Sequence, residues 1–492
     1  MIRNLTANYV GTVWTAVLLL LVPPLYVGYL GIEAYGLLGV HATLTSLAAL
    51  TDLGLTPTLN REISRNAETS NEANGLRSLV RSLEVTYWVV AVICAALMFV
   101  FLPTLVSAWL NSGGMPKAAV QNIVKLMVVQ IGLQMLVGFY TGGLLGLQRH
   151  VLLNAIVVVG LTVRNLGGVL VLKWYAATLE ALMWWMVVTT ALQVAVMAAA
   201  LLRHLPPGRS NFDLGHLRTT LHYAGGVSGI VALSLVLTQI DKVILSHFLP
   251  LAEFGAYSLA STITMTLCKP VGPIFNTVLP VMTKLVAQGD DHGLARIYHR
   301  STQLAALAVL PMSTVLVAFA PEIVALWIRD VATAQAISPL VAILAVGYAC
   351  NSLVYLPYGL SLAHGWVRYG LYQNAICCVL MVPLTVWLVH KFGAPGAAAS
   401  WALLNVGCII VSMYVLHQKL LPGAVAEWYV SDTLPALLAS GVVVITLRQL
   451  VSFGGGWGTA VTLAIIYFVA LAAAAFSLKT IRDGVAALAS KR

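Results

Sequence analysis

The stretch Tyr29-Leu30-Gly31-Ile32-Glu33-Ala34-Tyr35-Gly36 returns as Phe248-Leu249-Pro250-Leu251-Ala252-Glu253-Phe254-Gly255, at an offset of about 219 residues. Each copy is a short turn between two long apolar runs. A second match falls at about the same offset: Leu152-Leu153-Asn154-Ala155-Ile156 with Leu371-Tyr372-Gln373-Asn374-Ala375-Ile376. Two matches at one offset identify an internal repeat. Each copy holds six apolar segments, an even number, so both copies have the same orientation across a membrane. Such copies are related by an axis along the membrane normal, and a substrate path is expected at their interface.

Outside these turns the chain is mostly apolar. Of its 492 residues 60% are apolar and 9% charged. A crossing helix needs about 20 mostly apolar residues, and about fourteen segments qualify. The expected helices of the first copy are Asn8–Leu30, Gly36–Leu59, Leu79–Pro103, Ala118–Leu147, Val151–Leu172 and Leu179–Leu202. Those of the second are Leu221–Phe248, Phe254–Leu279, Ser301–Ala320, Ala336–Leu362, Tyr369–His390 and Gly396–Leu416. A last pair, Thr433–Leu450 and Thr459–Leu478, falls outside the repeat. The fold expected is an all-α polytopic membrane protein. Two six-helix bundles, 1–205 and 221–417, flank a cytoplasmic linker at 206–220, which carries Pro206-Pro207-Gly208. Residues 418–492 add the extra helix pair and a tail. The first apolar run is too long for a signal-peptide core and reads as an uncleaved helix.

The net charge of +10 raises the question of a nucleic-acid partner, and its distribution answers it. Basic residues gather in Asn60–Ser78, Arg203–Thr220, Thr283–Arg300 and the tail, every second connection. That is the positive-inside pattern of a membrane protein. It predicts cytoplasmic termini and no nucleic-acid partner. All six cysteines lie in apolar segments and read as packing residues. His41, His247 and His364 are widely spaced, with no metal-ligand pattern, and read as interface histidines. Gly138, Gly142 and Gly146 recur every fourth residue and read as a close helix contact. No Walker loop, acidic glycosyltransferase pair or Ser/His/Asp arrangement is present. The chain therefore reads as a non-enzyme without a cofactor, driven by a proton or sodium gradient, the membrane potential or the substrate gradient.

Two further stretches carry a resemblance. Thr51-Asp52-Leu53-Gly54-Leu55 runs into Asn60-Arg61-Glu62-Ile63-Ser64-Arg65, and Gln239-Ile240-Asp241-Lys242-Val243-Ile244-Leu245 leads to Phe254-Gly255-Ala256-Tyr257-Ser258-Leu259-Ala260. They resemble the Wzx-type oligosaccharidyl-lipid flippases and polysaccharide biosynthesis proteins of the multidrug/oligosaccharidyl-lipid/polysaccharide exporter superfamily. The extra helix pair is more similar to MurJ-type lipid II flippases, where such a pair helps form a lipid-facing groove. The resemblance implies two bundles around a lumen that opens alternately to each side. It implies an undecaprenyl-diphosphate-linked oligosaccharide, such as an O-antigen repeat unit, as substrate. Membrane lipids and the polysaccharide polymerase or ligase machinery would be the partners. The alternatives are an ion-coupled multidrug exporter, a lipid II flippase or a membrane-embedded glycosyl transferase. The short outer loops argue against the last.

Charged groups inside apolar segments are the candidate site, because each costs about 2.5–3.5 kcal/mol or more at the bilayer centre. Arg164 lies about 20 Å into its helix at 1.5 Å per residue. Lys269 lies midway along its segment, before Pro270 and Pro273, which free backbone carbonyls. Both are candidates to bind a diphosphate, arginine through its fork of donors and lysine as a point charge. The alternative for each is a structural contact. Asp241 and Lys242 point about 100° apart on a helix, so each is expected to need its own partner. Asp241 is a lumen or coupling candidate, and Lys242 can bind substrate or snorkel to the surface. Asp52 is either an ion-coupling carboxylate or the partner of a basic residue. Arg61, Glu62 and Arg65 form either a solvated helix end or an inner gate.

Overall fold

The computed structural model describes residues 2–52, 55–66, 73–111, 114–205, 233, 235–328, 330–479 and 482. Among them all regular structure is helical. That is what a chain must do when hydrocarbon offers its backbone no hydrogen bonds. The elements are α1 (Ile2–Leu30), α2 (Ile32–Ala48), α3 (Leu55–Asn66), α4 (Ala73–Thr104), α5 (Lys117–Gly146), α6 (His150–Trp174) and α7 (Leu179–His204). After α8 (235–248) come α9 (Leu251–Thr264), α10 (Val271–Gln288), α11 (Asp291–Ala318), α12 (Ala320–Trp327) and α13 (Val331–Ala363). The chain continues with α14 (Val367–Phe392), α15 (Ala394–Leu420), α16 (Ala424–Glu427), α17 (Leu434–Leu450) and α18 (Gly456–Ser477). Among the described residues, 10 helices are long and apolar enough to cross a membrane. The other expected segments are α1, whose apolar part is Trp14–Leu30, two interrupted helices, and α8, whose expected beginning lies outside the described residues.

The two interruptions correct the sequence reading. Gly36–Leu59 is not one helix. It ends as α2, passes through a 3-10 turn at Ala49–Asp52 and resumes as α3. Residues Asn60–Asn66, expected to begin a loop, are helical. The reason is amphipathic spacing: Leu59 and Ile63, four apart, are buried, while Arg61 and Ser64 are exposed. The buried side of α3 lies on the glycines of α5. A methyl group on Gly142 would come within 2.8 Å of Thr56, and one on Gly146 within 2.7 Å of Ile63 and 2.9 Å of the Asn60 carbonyl. The small-residue stripe thus serves close packing. In the same way Phe254–Leu279 divides into α9, a 3-10 turn at Met265–Cys268, and α10. Pro270 and Pro273 lack the N–H that a continuous helix would need there.

The chain forms two compact units, Met1–Gly255 and Ala256–Arg492. The division falls within α9, and the expected linker at 206–220 lies outside the described residues. Two contacts hold α8 in the first unit. The Trp109 indole N–H donates to Ser246 Oγ at 3.1 Å, and Trp109 stacks on His247 at 4.8 Å. At the matched turns, a methyl group on Gly36 would lie 2.2 Å from the Leu251 carbonyl, and one on Gly255 2.4 Å from the Ile32 carbonyl. The core of the first unit gathers Leu59, Ile63, Leu83, Tyr140 and Met197.

In the second unit α13 packs between α11 and α15. The pair α17–α18 lies against α11, where Val315 and Phe319 meet Val444, Leu463, Ile466 and Ala470. Arg448 of α17 pairs with Glu322 of α12.

Candidate functional site

Arg164 lies in the middle of α6, which α1 holds in place. The Trp14 indole N–H donates to Thr162 Oγ1 at 2.8 Å, and the Tyr26 hydroxyl donates to the Asn165 carbonyl at 3.1 Å. Gly168 permits this approach, because a methyl group there would sit 2.6 Å from the Tyr26 hydroxyl. The Arg164 guanidinium is half-buried and donates through Nη1 to Gln134 Oε1 at 3.1 Å and to Thr190 Oγ1 at 3.0 Å. Thr190 also accepts from Gln130 Nε2 at 3.4 Å, and the Gln130 oxygen meets His41 Nε2 at 2.7 Å. Four helices, α2, α5, α6 and α7, therefore converge on one cation. Every side chain that meets the guanidinium is a neutral acceptor. Among the described residues no carboxylate pairs with it.

The sequence singles out Arg164 but not this setting. Gln130 and Gln134 are four apart and share a face of α5, which is a usable signal in so apolar a helix. His41, expected at an interface, instead belongs to the network around the cation. Glu84 is a further buried charge that the sequence reading does not pick out. It accepts from the Tyr140 hydroxyl at 2.6 Å and pairs with Arg81 at 2.8 Å. Both of its oxygens meet packing partners, so it ties α4 to α5.

The remaining expected residues have other described surroundings. Asp241 is buried on α8, and its Oδ1 lies 3.9 Å from Lys242 Nζ. The lysine bends back along the helix and donates to the Thr238 carbonyl at 3.3 Å. The two neighbours are thus closer than a 100° separation suggests, because a four-carbon stem can fold along the helix surface. Asp52 ends the 3-10 turn between α2 and α3, and its side chain lies outside the described residues. Arg61 and Glu62 approach to 4.0 Å on α3, and the Arg65 side chain lies outside the described residues. In the second unit Lys269 directly follows the 3-10 turn and is exposed. No partner for its ammonium is seen among the described residues. Asp52 and Lys269 thus sit at the two helix interruptions, the kind of break that membrane proteins tolerate where the backbone is buried in protein or lines a wet cavity.

The second unit also contains a cavity of about 420 Å³, lined by Leu310, Thr314, Cys350, Trp428, Leu437 and Gly441 among others. No charged residue lines it, so it suits hydrocarbon rather than an anion. Among the described residues no cluster of His, Cys, Asp and Glu could hold a metal ion.

A polytopic helical bundle with interrupted helices and a half-buried cation in mid-helix is the architecture of a membrane transporter. The family model described as "Polysaccharide biosynthesis protein" matches residues 1–286, and a MatE model matches 227–387. The chain belongs to the polysaccharide biosynthesis protein family. It is 21% identical over 378 residues to a putative O-antigen transporter of Shigella flexneri, covering 76% of this chain and 87% of that one. Its fold is similar to that of the lipid II flippase MurJ in an inward closed conformation, with TM-score 0.72 and 12% identity, covering 96% of this chain and 98% of that one. It is also similar to an inward-facing multidrug resistance MATE family transporter of the MOP superfamily, with TM-score 0.69 and 13% identity, covering 84% and 96%.

Proposed function

We propose that this protein is an O-antigen or polysaccharide flippase that carries a polyprenyl-diphosphate-linked oligosaccharide from the cytoplasmic to the periplasmic leaflet by alternating access. The observation that carries this reading is Arg164. Its charge is held deep in the bundle by Gln134 and Thr190, neither of which neutralises it. Such a cation is costly in a membrane unless a wet cavity or an anion meets it. A diphosphate supplies that anion, and the unused edge of the guanidinium can bind it through paired N–H groups. Lys269, exposed at the second interruption, would add a second positive charge. The apolar cavity of the second unit offers room for hydrocarbon.

In this reading the protein lies in the bacterial inner membrane with both termini cytoplasmic, and it hands its product to the polymerase or ligase machinery. A proton or sodium ion at Asp52 or Asp241 would couple transport to a gradient. The undecaprenyl carrier is the expected lipid.

Hydrogen bonds to charged groups are worth about 1.5–3 kcal/mol, so Arg164→Ala and Lys269→Ala should each lower transport about tenfold or more. The measurement is flipping of a lipid-diphosphate-linked oligosaccharide in proteoliposomes, corrected for the amount of protein inserted. Arg164→Lys keeps the charge but loses the fork and should fall between wild type and Arg164→Ala. Wild-type flipping by both alanine variants would remove the diphosphate assignment. A variant that fails to accumulate would show a structural role for its residue instead.

A further inference from the structure

A second buried polar cluster lies in the second unit, far along the chain from Arg164. Asp432 sits in a π-helical turn, Trp428–Thr433, at the foot of α17. Turns of this type often mark functional positions. Asp432 is completely buried, and both its oxygens are engaged. Gln303 Nε2 donates to Oδ1 at 2.8 Å, and His299 Nδ1 lies 2.5 Å from Oδ2. The other ring nitrogen of His299, Nε2, is 3.4 Å from Glu427 Oε2, and Glu427 is exposed. An exposed carboxylate, an imidazole and a buried carboxylate thus stand in line. His299 lies one residue from Arg300 and two turns from Asp291 and His292, the charged end of α11 that an aqueous surface requires.

The neighbouring groups sharpen the reading. His417 of α15 faces the cluster, and its Nδ1 meets the Met413 carbonyl at 2.6 Å. A carbonyl only accepts, so Nδ1 carries the proton and Nε2 must accept from the Tyr298 hydroxyl at 2.9 Å. Tyr298 and His417 are therefore committed to one another. His299 is different, because each of its nitrogens faces a carboxylate oxygen that can give or take a proton.

We propose that Asp432 is a proton-binding carboxylate served by a Glu427–His299 relay. At rest Asp432 is ionised, and neutral His299 donates its Nδ1 proton to Oδ2. A proton from water reaches the Glu427 carboxylate and passes to His299 Nε2. The Nδ1 proton then moves to Asp432 Oδ2. The products are a neutral Asp432, a neutral His299 protonated on Nε2, and an ionised Glu427. One proton has been taken up. The His299–Asp432 hydrogen bond survives with its direction reversed, a new hydrogen bond runs from His299 Nε2 to the Glu427 carboxylate, and the Gln303 bond is unchanged. The same π-helical turn lines the apolar cavity through Trp428, Tyr429 and Thr433. The site therefore sets the charge directly behind that wall.

The test uses the full-length protein in nanodiscs and infrared difference spectroscopy after a rapid drop in pH. Wild type should develop the carbonyl band of a protonated buried carboxyl group. Asp432→Asn, which preserves size and hydrogen-bonding capacity, should lack it. Glu427→Gln and His299→Gln should keep a folded protein but slow the band's appearance by about a hundredfold, the scale set by a positioned acid–base group. Equal bands in wild type and Asp432→Asn would overturn the proposal. So would wild-type kinetics in both relay variants. Should Asp432→Asn not fold, Glu427→Gln still decides the matter, since it changes an exposed residue. The readout needs no transport substrate, so failure here leaves the flippase reading standing, and the reverse also holds.

Discussion

At the scale of single residues, this protein uses glycine where a helix must come within backbone distance of another. The stripe on α5 makes the point because its members differ. Gly138 has its nearest neighbour 4.0 Å from where a methyl group would sit, whereas Gly146 would meet Ile63 at 2.7 Å and a carbonyl oxygen at 2.9 Å. Equal spacing in sequence thus conceals unequal demands. Gly138→Ala should be tolerated. Gly146→Ala forces α3 off α5, and overpacking of this kind costs about 1–3 kcal/mol. Thermal unfolding of the two variants in detergent checks the contrast. A Gly146→Ala protein as stable as Gly138→Ala would show that α3 can shift without loss.

Among the elements, the crossing of α2 with α9 has a reciprocal geometry. The glycine of each matched turn sits over a carbonyl of the other helix: Gly36 over Leu251, Gly255 over Ile32. Carbonyl oxygens belong to rigid helical backbone and cannot rotate away as a side chain can. Gly36→Ala and Gly255→Ala should therefore each destabilise the first unit by about 1–3 kcal/mol. Both substitutions force apart the same pair of helices. Their effects should not add, as expected for residues sharing one contact. A double variant with unfolding shifted by the sum of the single shifts would separate the two contacts and contradict the reciprocal reading.

For the molecule as a whole, the extra helices α17 and α18 are built into the second unit. Their apolar contacts with Val315 and Phe319 are only part of the reason. In a membrane, lipid tails can replace a lost apolar neighbour at little cost. They cannot replace Asp432, which holds His299 and Gln303. Truncation after Leu421 should therefore leave buried donors unpaired and yield a protein cleaved readily within α11 by limited proteolysis. Adding His299→Leu and Gln303→Leu to the truncated chain should restore part of the resistance, since matched apolar groups need no partner. Unchanged sensitivity after this repair would place the loss in packing instead.

The apolar runs, the turn repeat and the glycine spacing are enough to establish a polytopic helical protein and most helix positions. The reason is that a bilayer imposes length and apolarity on any segment that crosses it, and both are local properties of sequence. The rare interior charge is legible for the same reason, and Arg164 and Lys269 stand out on that ground alone. The helix interruptions are legible in part: Pro270 and Pro273 announce one, and Gly54 and Pro57, just beyond Asp52, mark the other as a soft place in its helix. Tertiary structure alone decided the partners. Gln134 and Thr190 reach Arg164 from two other helices, and Asp432 meets a histidine more than a hundred residues earlier in the chain. A hydrogen bond depends on where helices come to lie side by side, and that arrangement follows from packing across the whole bundle rather than from the character of any one segment.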